Sequence, residues 1–411
     1  MRFVQLFAIA VLTVLLFAKG IVPAFTTIGT DFANYYTSSY ILLHERGNID
    51  KLYDAQWFSQ GAAALGSPEG GVFQPFPPAT ALVMIPLTMF DMQTAKRIWT
   101  VVNVGILAAV VVVISRLGGL DYSLSSLLLL ASGFALINNF YLGQIYLLMV
   151  LCLSLSIWYF RQEEDVLSGV FAGLFVPIKY FPLCLIVFFF LQKRWIVAAS
   201  AVLTAFAVAC ISLITMGFEI HRSFFDLILF RHLDGQMANP FSAAYQSWNS
   251  LLRSVFVQDD VFNANPLIAW TPGFDYVRAL IFIGLTVVLL WSLRRGRESE
   301  TTISLQIAGL FSFALLVAPA TATYHVLLLS IPMAMVSSQF LGKKQPLLPS
   351  ILFLTYVGMG AIPAGALDGL HLEGAWKLLA YPRLYFLTAF FSVVTLLMKS
   401  SWSNENLSRT L

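Results

Sequence analysis

The chain has 411 residues, 58% of them apolar and only 11% charged, a balance that no soluble globular class carries. Its formal net charge is +3, and the basic residues stand in short clusters between apolar runs, which reads as membrane topology and excludes a nucleic-acid surface. Cys152, Cys184 and Cys210 all fall inside apolar runs, so neither a disulfide framework nor a CxxC metal site is offered.

Residues 1 to 20 have the outline of a signal peptide, with Arg2 ahead of an apolar run, but Lys19 sits where small residues would precede a cleavage site. We therefore expect an uncleaved first helix. Just beyond it comes Asp31, the first acidic residue of the chain. Phe32, Tyr35, Tyr36, Ser39, Tyr40 and Leu43 then recur at three- and four-residue spacing, which predicts an amphipathic helix along the membrane surface. Asp31 has two readings at this point, a helix cap or a reactive carboxylate at the end of a membrane helix.

Further apolar runs lie near 98–115, 121–137, 145–160, 166–178, 181–192, 195–215, 276–292, 302–319, 325–340, 346–363 and 381–398. With the first run they predict an all-α, polytopic membrane protein of about twelve transmembrane helices, a single domain over 1–411. The run Phe73 to Phe90 is different, because Pro77, Pro78 and Pro86 interrupt it and proline breaks helix interiors. If it does not span, Arg2, Arg116, Arg161, Lys193/Arg194, Arg294/Arg295/Arg297, Lys343/Lys344 and Lys399 all face the cytoplasm, with Lys96/Arg97 the one awkward pair. Phe73 to Phe90 is then re-entrant or surface-lying, and two long loops, 21–97 and 216–275, lie outside.

On that topology, polar residues converge on the outer side: Asp31, Asn138/Asn139, Gln144, Lys179, Gln246, Asn249, Arg253 and His325. Lys179 stands in a short break between apolar helices, where a cation either partners an anion or snorkels to the interface. Gln144 and the asparagines are turn residues or ligands. His325 has no companions at metal-ligand spacing, and no second carboxylate stands near Asp31, so a divalent metal finds no support. Asp31 and His325 together suit general-base chemistry.

The run Asp31, Tyr35/Tyr36, Gly47, Leu52-Tyr53, Phe76-Pro77-Pro78, Pro86, Trp99 and Asn103 resembles glycosyltransferase family 87, within the C-fold glycosyltransferases. Gly143-Gln144, Ala172-Gly173, Lys179, Pro182, Asn249-Ser250-Leu251, Pro319 and His325 extend the likeness over most of the chain. Two departures stand out: Phe76 where family members often carry tyrosine, and a looser Gln246 to Ser250 run.

The resemblance implies an integral membrane hexosyl- or pentosyltransferase that moves a sugar from a polyprenyl-phosphate donor to a cell-envelope glycolipid or polysaccharide. It implies Asp31 as catalytic base at the extracytoplasmic face of the plasma membrane, and His325 is expected beside it, either orienting that carboxylate or contacting the anionic leaving group. Donor contacts are then expected from Lys179, Gln144, Asn249, Arg253 and Tyr36, with no cofactor. The rival reading is a lipid-linked sugar flippase or small-solute transporter, which would place polar groups at the bilayer midplane and in matched halves. The chain shows no such halves.

Overall fold

The computed structural model describes residues 2–236, 239–293, 299–340, 347–363, 366, 372 and 374–410. Arg294, Arg295, Arg297, Lys343, Lys344 and His371 lie outside the described residues. The described chain is all-helical, its only pairing of extended backbone being an isolated bridge between Asp259 and Asn263. It divides into two units, the first formed by Met1–Leu117, Tyr122–Leu130 and Leu136–His232, the second by Gly118–Asp121, Ala131–Ala135 and Leu233–Leu411.

In the first unit, helix Arg2–Leu16 continues through a wide turn at Phe17–Ile21 into Val22–Thr26. The chain breaks at Gly29, whose φ of +77° suits glycine, and restarts as helix Thr30–His44. The expected helix is present, but it does not keep one face free. Phe32 through Ser39, with Ile41 and Leu42, are buried on all sides, so it is a core helix rather than a surface one.

Phe73 to Phe90 forms no continuous helix. Its prolines leave two short 3₁₀ turns, Pro78–Leu82 and Ile85–Leu87. The backbone carbonyls that such a segment leaves open are taken by side chains: Tyr53 Oη donates to Phe76 O at 2.8 Å, Ser39 Oγ to Ala81 O at 2.7 Å, and Tyr36 Oη to Phe90 O at 2.6 Å. Farther along, Gly169 and Gly173 lie one helical turn apart on Asp165–Gly173. A Cβ on either would meet the backbone of Trp195–Met216 at 2.5 and 2.3 Å, so these glycines let two helices approach closely.

In the second unit, Ser247 and Ser250 close a capping box at the start of Trp248–Phe256, and Ser299 caps Glu300–Val317. Helices Glu300–Val317 and Leu347–Ala361 both pack on Pro382–Thr410.

Six described helices are long and apolar enough to cross a bilayer, or seven if the bent pair Tyr122–Leu130 and Phe134–Leu142 is one span. The expected count of twelve is not confirmed: six or seven is what passes by length and composition among the described residues. The reason is that an apolar run need not fold as one long helix. The runs near 166–178 and 181–192 fold as the nine-residue helices Asp165–Gly173 and Leu183–Leu191. The run near 325–340 divides into a 3₁₀ turn, Thr323–Leu329, and the helix Ser330–Phe340. Tyr146–Arg161 and Leu347–Ala361 are helical over 16 and 15 residues only.

Candidate functional site

Asp31 lies in the first turn of Thr30–His44 and keeps part of its surface open. Two glycines bring the segment around residue 30 against the turn after Phe134–Leu142. A Cβ on Gly29 would meet Tyr141 O at 2.7 Å. One on Gly143, whose φ is +71°, would meet Phe32 Cβ at 2.6 Å and Lys96 Nζ at 2.5 Å. Only glycine fits either position, and the close approach sets Gln144 beside the first turns of the Asp31 helix.

That turn is staked by buried polar groups. Trp99 Nε1 donates to Gly143 O at 3.1 Å, and Gln144 N donates to Asn139 O at 2.8 Å. Asn139 Nδ2 donates in turn to Asn103 Oδ1 at 3.2 Å. Lys96 is 0% exposed and donates at 3.0 Å to Phe140 O, which also accepts the Gly143 N–H, and at 3.0 Å to Tyr141 O at the helix end. Its ammonium also lies 5.5 Å from the Phe32 ring. Lys96 was the awkward charge of the topology count. It is buried within the first unit and is no guide to which side of a membrane its segment faces.

Lys179 follows the helix Asp165–Gly173 and stands over three rings, at 4.2 Å from the Phe76 centroid, 5.6 Å from Tyr146 and 5.7 Å from Tyr35. Among the described residues it forms no hydrogen bond or ion pair; the charge that acts on it through space is Asp31. Asp31 likewise forms no ion pair; the Gln144 side chain acts on it as a hydrogen-bonding group, and Lys179 and Lys96 act on it through space. The fold thus brings a carboxylate and an ammonium together in one partly open, ring-lined place without letting them close on each other. Both retain capacity for a ligand.

Sequence reasoning brought Asp31, Lys179 and Gln144 forward, and all three meet here. It also brought Tyr36 forward as a donor contact, but the Tyr36 hydroxyl is spent on Phe90 O. Tyr35, Lys96, Tyr146 and Phe76 were not assigned to the site. Lys96, Trp99, Thr100 and Asn103 are all buried at helical spacing, a polar stripe in an apolar helix that would have marked the first of them. His232, also passed over, lies with its ring 6.0 Å from Tyr180. Burial, and then the charge of Lys179, push its imidazole down to about 4, so it is neutral at physiological pH.

Asn249, Arg253 and His325 belong to the second unit. There Arg253 pairs with Asp234 at 3.1 Å, and Arg278 binds the other carboxylate oxygen at 2.7 Å and Asp275 at 3.1 Å. Both guanidinium groups lie 4.5 Å from the Phe274 ring. Asn249 Nδ2 donates to Asp234 O at 3.0 Å, and Asn249 Oδ1 accepts from Arg278 at 3.3 Å. Burial works to raise the Asp234 carboxyl, but the Arg278 hydrogen bond and the Arg253 charge hold it below its ordinary value. His325 is buried, and its Nδ1 accepts the Ala322 N–H at 3.2 Å. Among the described residues no three His, Cys, Asp or Glu side chains gather as metal ligands.

A family model described as glycosyltransferase family 87 matches residues 73–319. That span includes Lys96, Gln144, Lys179, Asn249 and Arg253 and stops short of Asp31 and His325. Two curated relatives carry the description polyprenol-phosphate-mannose-dependent alpha-(1-2)-phosphatidylinositol pentamannoside mannosyltransferase. The one from Mycolicibacterium smegmatis is 27% identical over 258 residues, 61% of this chain and 57% of the relative. The one from Mycobacterium tuberculosis is 26% identical over 256 residues, 61% of this chain and 55% of the relative. The matched region thus spans little more than half the length of each. No solved structure matches the chain.

Proposed function

Because this chain belongs to glycosyltransferase family 87, we propose that it transfers a sugar, mannose by likeness to its relatives, from polyprenyl phosphate to a cell-envelope glycolipid or polysaccharide. The acceptor is a phosphatidylinositol mannoside or a molecule of that class, and the reaction takes place at the extracytoplasmic leaflet of the plasma membrane. The observation that carries the reading is the pair Asp31 and Lys179, two partly open charges that form no ion pair with each other, the carboxylate being approached only by the Gln144 amide. A buried structural carboxylate is normally satisfied, so an open one beside an open cation argues for a ligand.

In this reaction the acceptor hydroxyl oxygen attacks the anomeric carbon while Asp31 takes the hydroxyl proton. The bond from the anomeric carbon to the phosphate oxygen breaks, its electron pair leaves with polyprenyl phosphate, and the configuration inverts. Lys179 neutralises the charge that develops on that phosphate. The Tyr35, Phe76 and Tyr146 rings keep the ammonium short of hydrogen-bond partners until the phosphate arrives. His325 is a secondary contributor, whose loss lowers turnover less than loss of Asp31. Asn249 and Arg253, first expected as donor contacts, act on this reading through the Asp234 network that they hold together. Catalysis needs no nucleotide sugar and no cofactor.

The test is purified protein in detergent with radiolabelled polyprenyl-phosphate mannose and a phosphatidylinositol mannoside. We expect labelled acceptor and free polyprenyl phosphate in equal amounts. Donor that binds but is never consumed would contradict the reading and favour a flippase or transporter, since movement across a membrane has no meaning in detergent.

A further inference from the structure

Gln144 is held in a way that a mere turn residue does not need. Tyr35 and Asp31 are four residues apart on Thr30–His44, so they share one face of that helix. The Tyr35 hydroxyl, fully buried, donates to Gln144 Oε1 at 2.7 Å. Gln144 is itself 0% exposed, its backbone fixed by Asn139 and by the Gly143 turn. With Oε1 taken, the amide has only Nε2 to present, and Nε2 is buried without a hydrogen-bond partner. The group on which the Gln144 side chain acts is the Asp31 carboxylate, and the Gly143 turn sets Gln144 beside the first turns of the Asp31 helix.

Chemistry fixes which way the amide points. Turned over, it would set the carbonyl oxygen against a carboxylate, acceptor against acceptor, and would leave the two N–H groups to a phenol that needs at most one of them. In the observed orientation, one N–H is available to the carboxylate and the phenol proton has its acceptor. A buried, unsatisfied amide nitrogen is rare unless something is meant to complete it.

We propose that Gln144 is a positioning residue for Asp31: Tyr35 orients the Gln144 amide, and its Nε2–H holds one carboxylate oxygen so that the other faces the acceptor hydroxyl. This rests on the reading of Asp31 as the base. It differs from the donor contact expected of Gln144 from sequence, because the side chain acts through Asp31 and not on the lipid phosphate.

The experiment is a double-mutant cycle in the transfer assay, with kcat and donor KM measured separately for Gln144→Leu, Tyr35→Phe and Asp31→Asn, alone and combined. Misplacing a base costs turnover and leaves binding alone, so Gln144→Leu lowers kcat about 10- to 100-fold with donor KM moved by less than about twofold. Tyr35→Phe, which keeps the ring and its packing, lowers kcat less and in the same direction. In the Asp31→Asn background neither change costs anything further, because residues acting as a unit are not additive. A raised donor KM with kcat intact, or losses that multiply in the Asp31→Asn background, would overturn the positioning role while leaving Asp31 as base. Near-normal transfer by Asp31→Asn alone would overturn the base itself. If Gln144→Leu does not fold, Tyr35→Phe decides, and unchanged kcat in that variant counts against the proposal.

Discussion

In the second unit, Asp234 is shared by Arg253 and Arg278, both arginines lie against Phe274, and Asn249 ties the group to the backbone. In the first unit, Lys179 is also set among aromatic rings beside Asp31, yet neither charge forms an ion pair among the described residues. The two clusters use similar chemistry, carboxylates, cations and phenyl faces, and differ in whether the charges are spent. Spent charges hold a fold together. Charges that the fold keeps apart cost stability and persist where a ligand completes them.

Several substitutions sharpen or break this contrast. Outside the base itself, the largest effect is expected from Lys179→Gln. One charge-assisted contact to the donor phosphate contributes about 1.5–3 kcal/mol, so donor affinity should fall about 10- to 100-fold. Lys179→Arg should restore part of it. Arg253→Gln should leave donor affinity alone and lower the melting temperature instead. A loss of donor affinity in Arg253→Gln equal to that in Lys179→Gln would erase the distinction between the clusters.

Next comes Gly143→Ala, which forces a Cβ against Phe32 and Lys96 at a positive φ. The backbone strain alone is about 1–3 kcal/mol, and the collision adds to it. Gly119, at φ +59° with open space around it, is the control. Gly119→Ala should cost only the conformational part, about 1 kcal/mol. Equal drops in melting temperature for the two variants would mean that the close approach beside Asp31 is unimportant.

Smaller still is the contribution of Asp234, whose side chain is one-third exposed, so that Asp234→Asn should cost about 1 kcal/mol. Its pH dependence has a definite sign. Asp234 titrates lower in the folded chain than in the unfolded one. The stability it adds is therefore present above the unfolded carboxylate value, about 4, and is lost as pH falls through the folded value. Melting temperature followed from pH 7 downward should fall more steeply for the wild type than for Asp234→Asn only below about pH 4.

Much of this was readable in the residues. Prolines in Phe73 to Phe90 forecast a run that does not form one helix, and Asp31 was legible as a helix start with a second role open. Other features were hidden for identifiable reasons. Counting apolar runs assumed that each folds as a long helix, whereas the runs near 166–178 and 181–192 are helical over nine residues each and the run near 325–340 opens in a 3₁₀ turn. Lys96 looked like a misplaced loop charge because burial inside a protein leaves no mark on a charge count. Arg253 looked free because its partner Asp234 lies 19 residues earlier, where no local spacing rule reaches. Tyr35 was readable as a helix-face residue, but its hold on Gln144 joins positions 109 apart.

The most direct test of the central claim is sugar transfer by Asp31→Asn, with melting temperature and donor affinity measured on the same preparation. Asparagine caps a helix about as well as aspartate, so a capping role predicts a variant that folds, binds donor and turns over almost normally. A general base predicts normal folding and donor binding with turnover lowered by about 10²–10⁴-fold. We expect the second result, and near-normal transfer by Asp31→Asn would contradict the account.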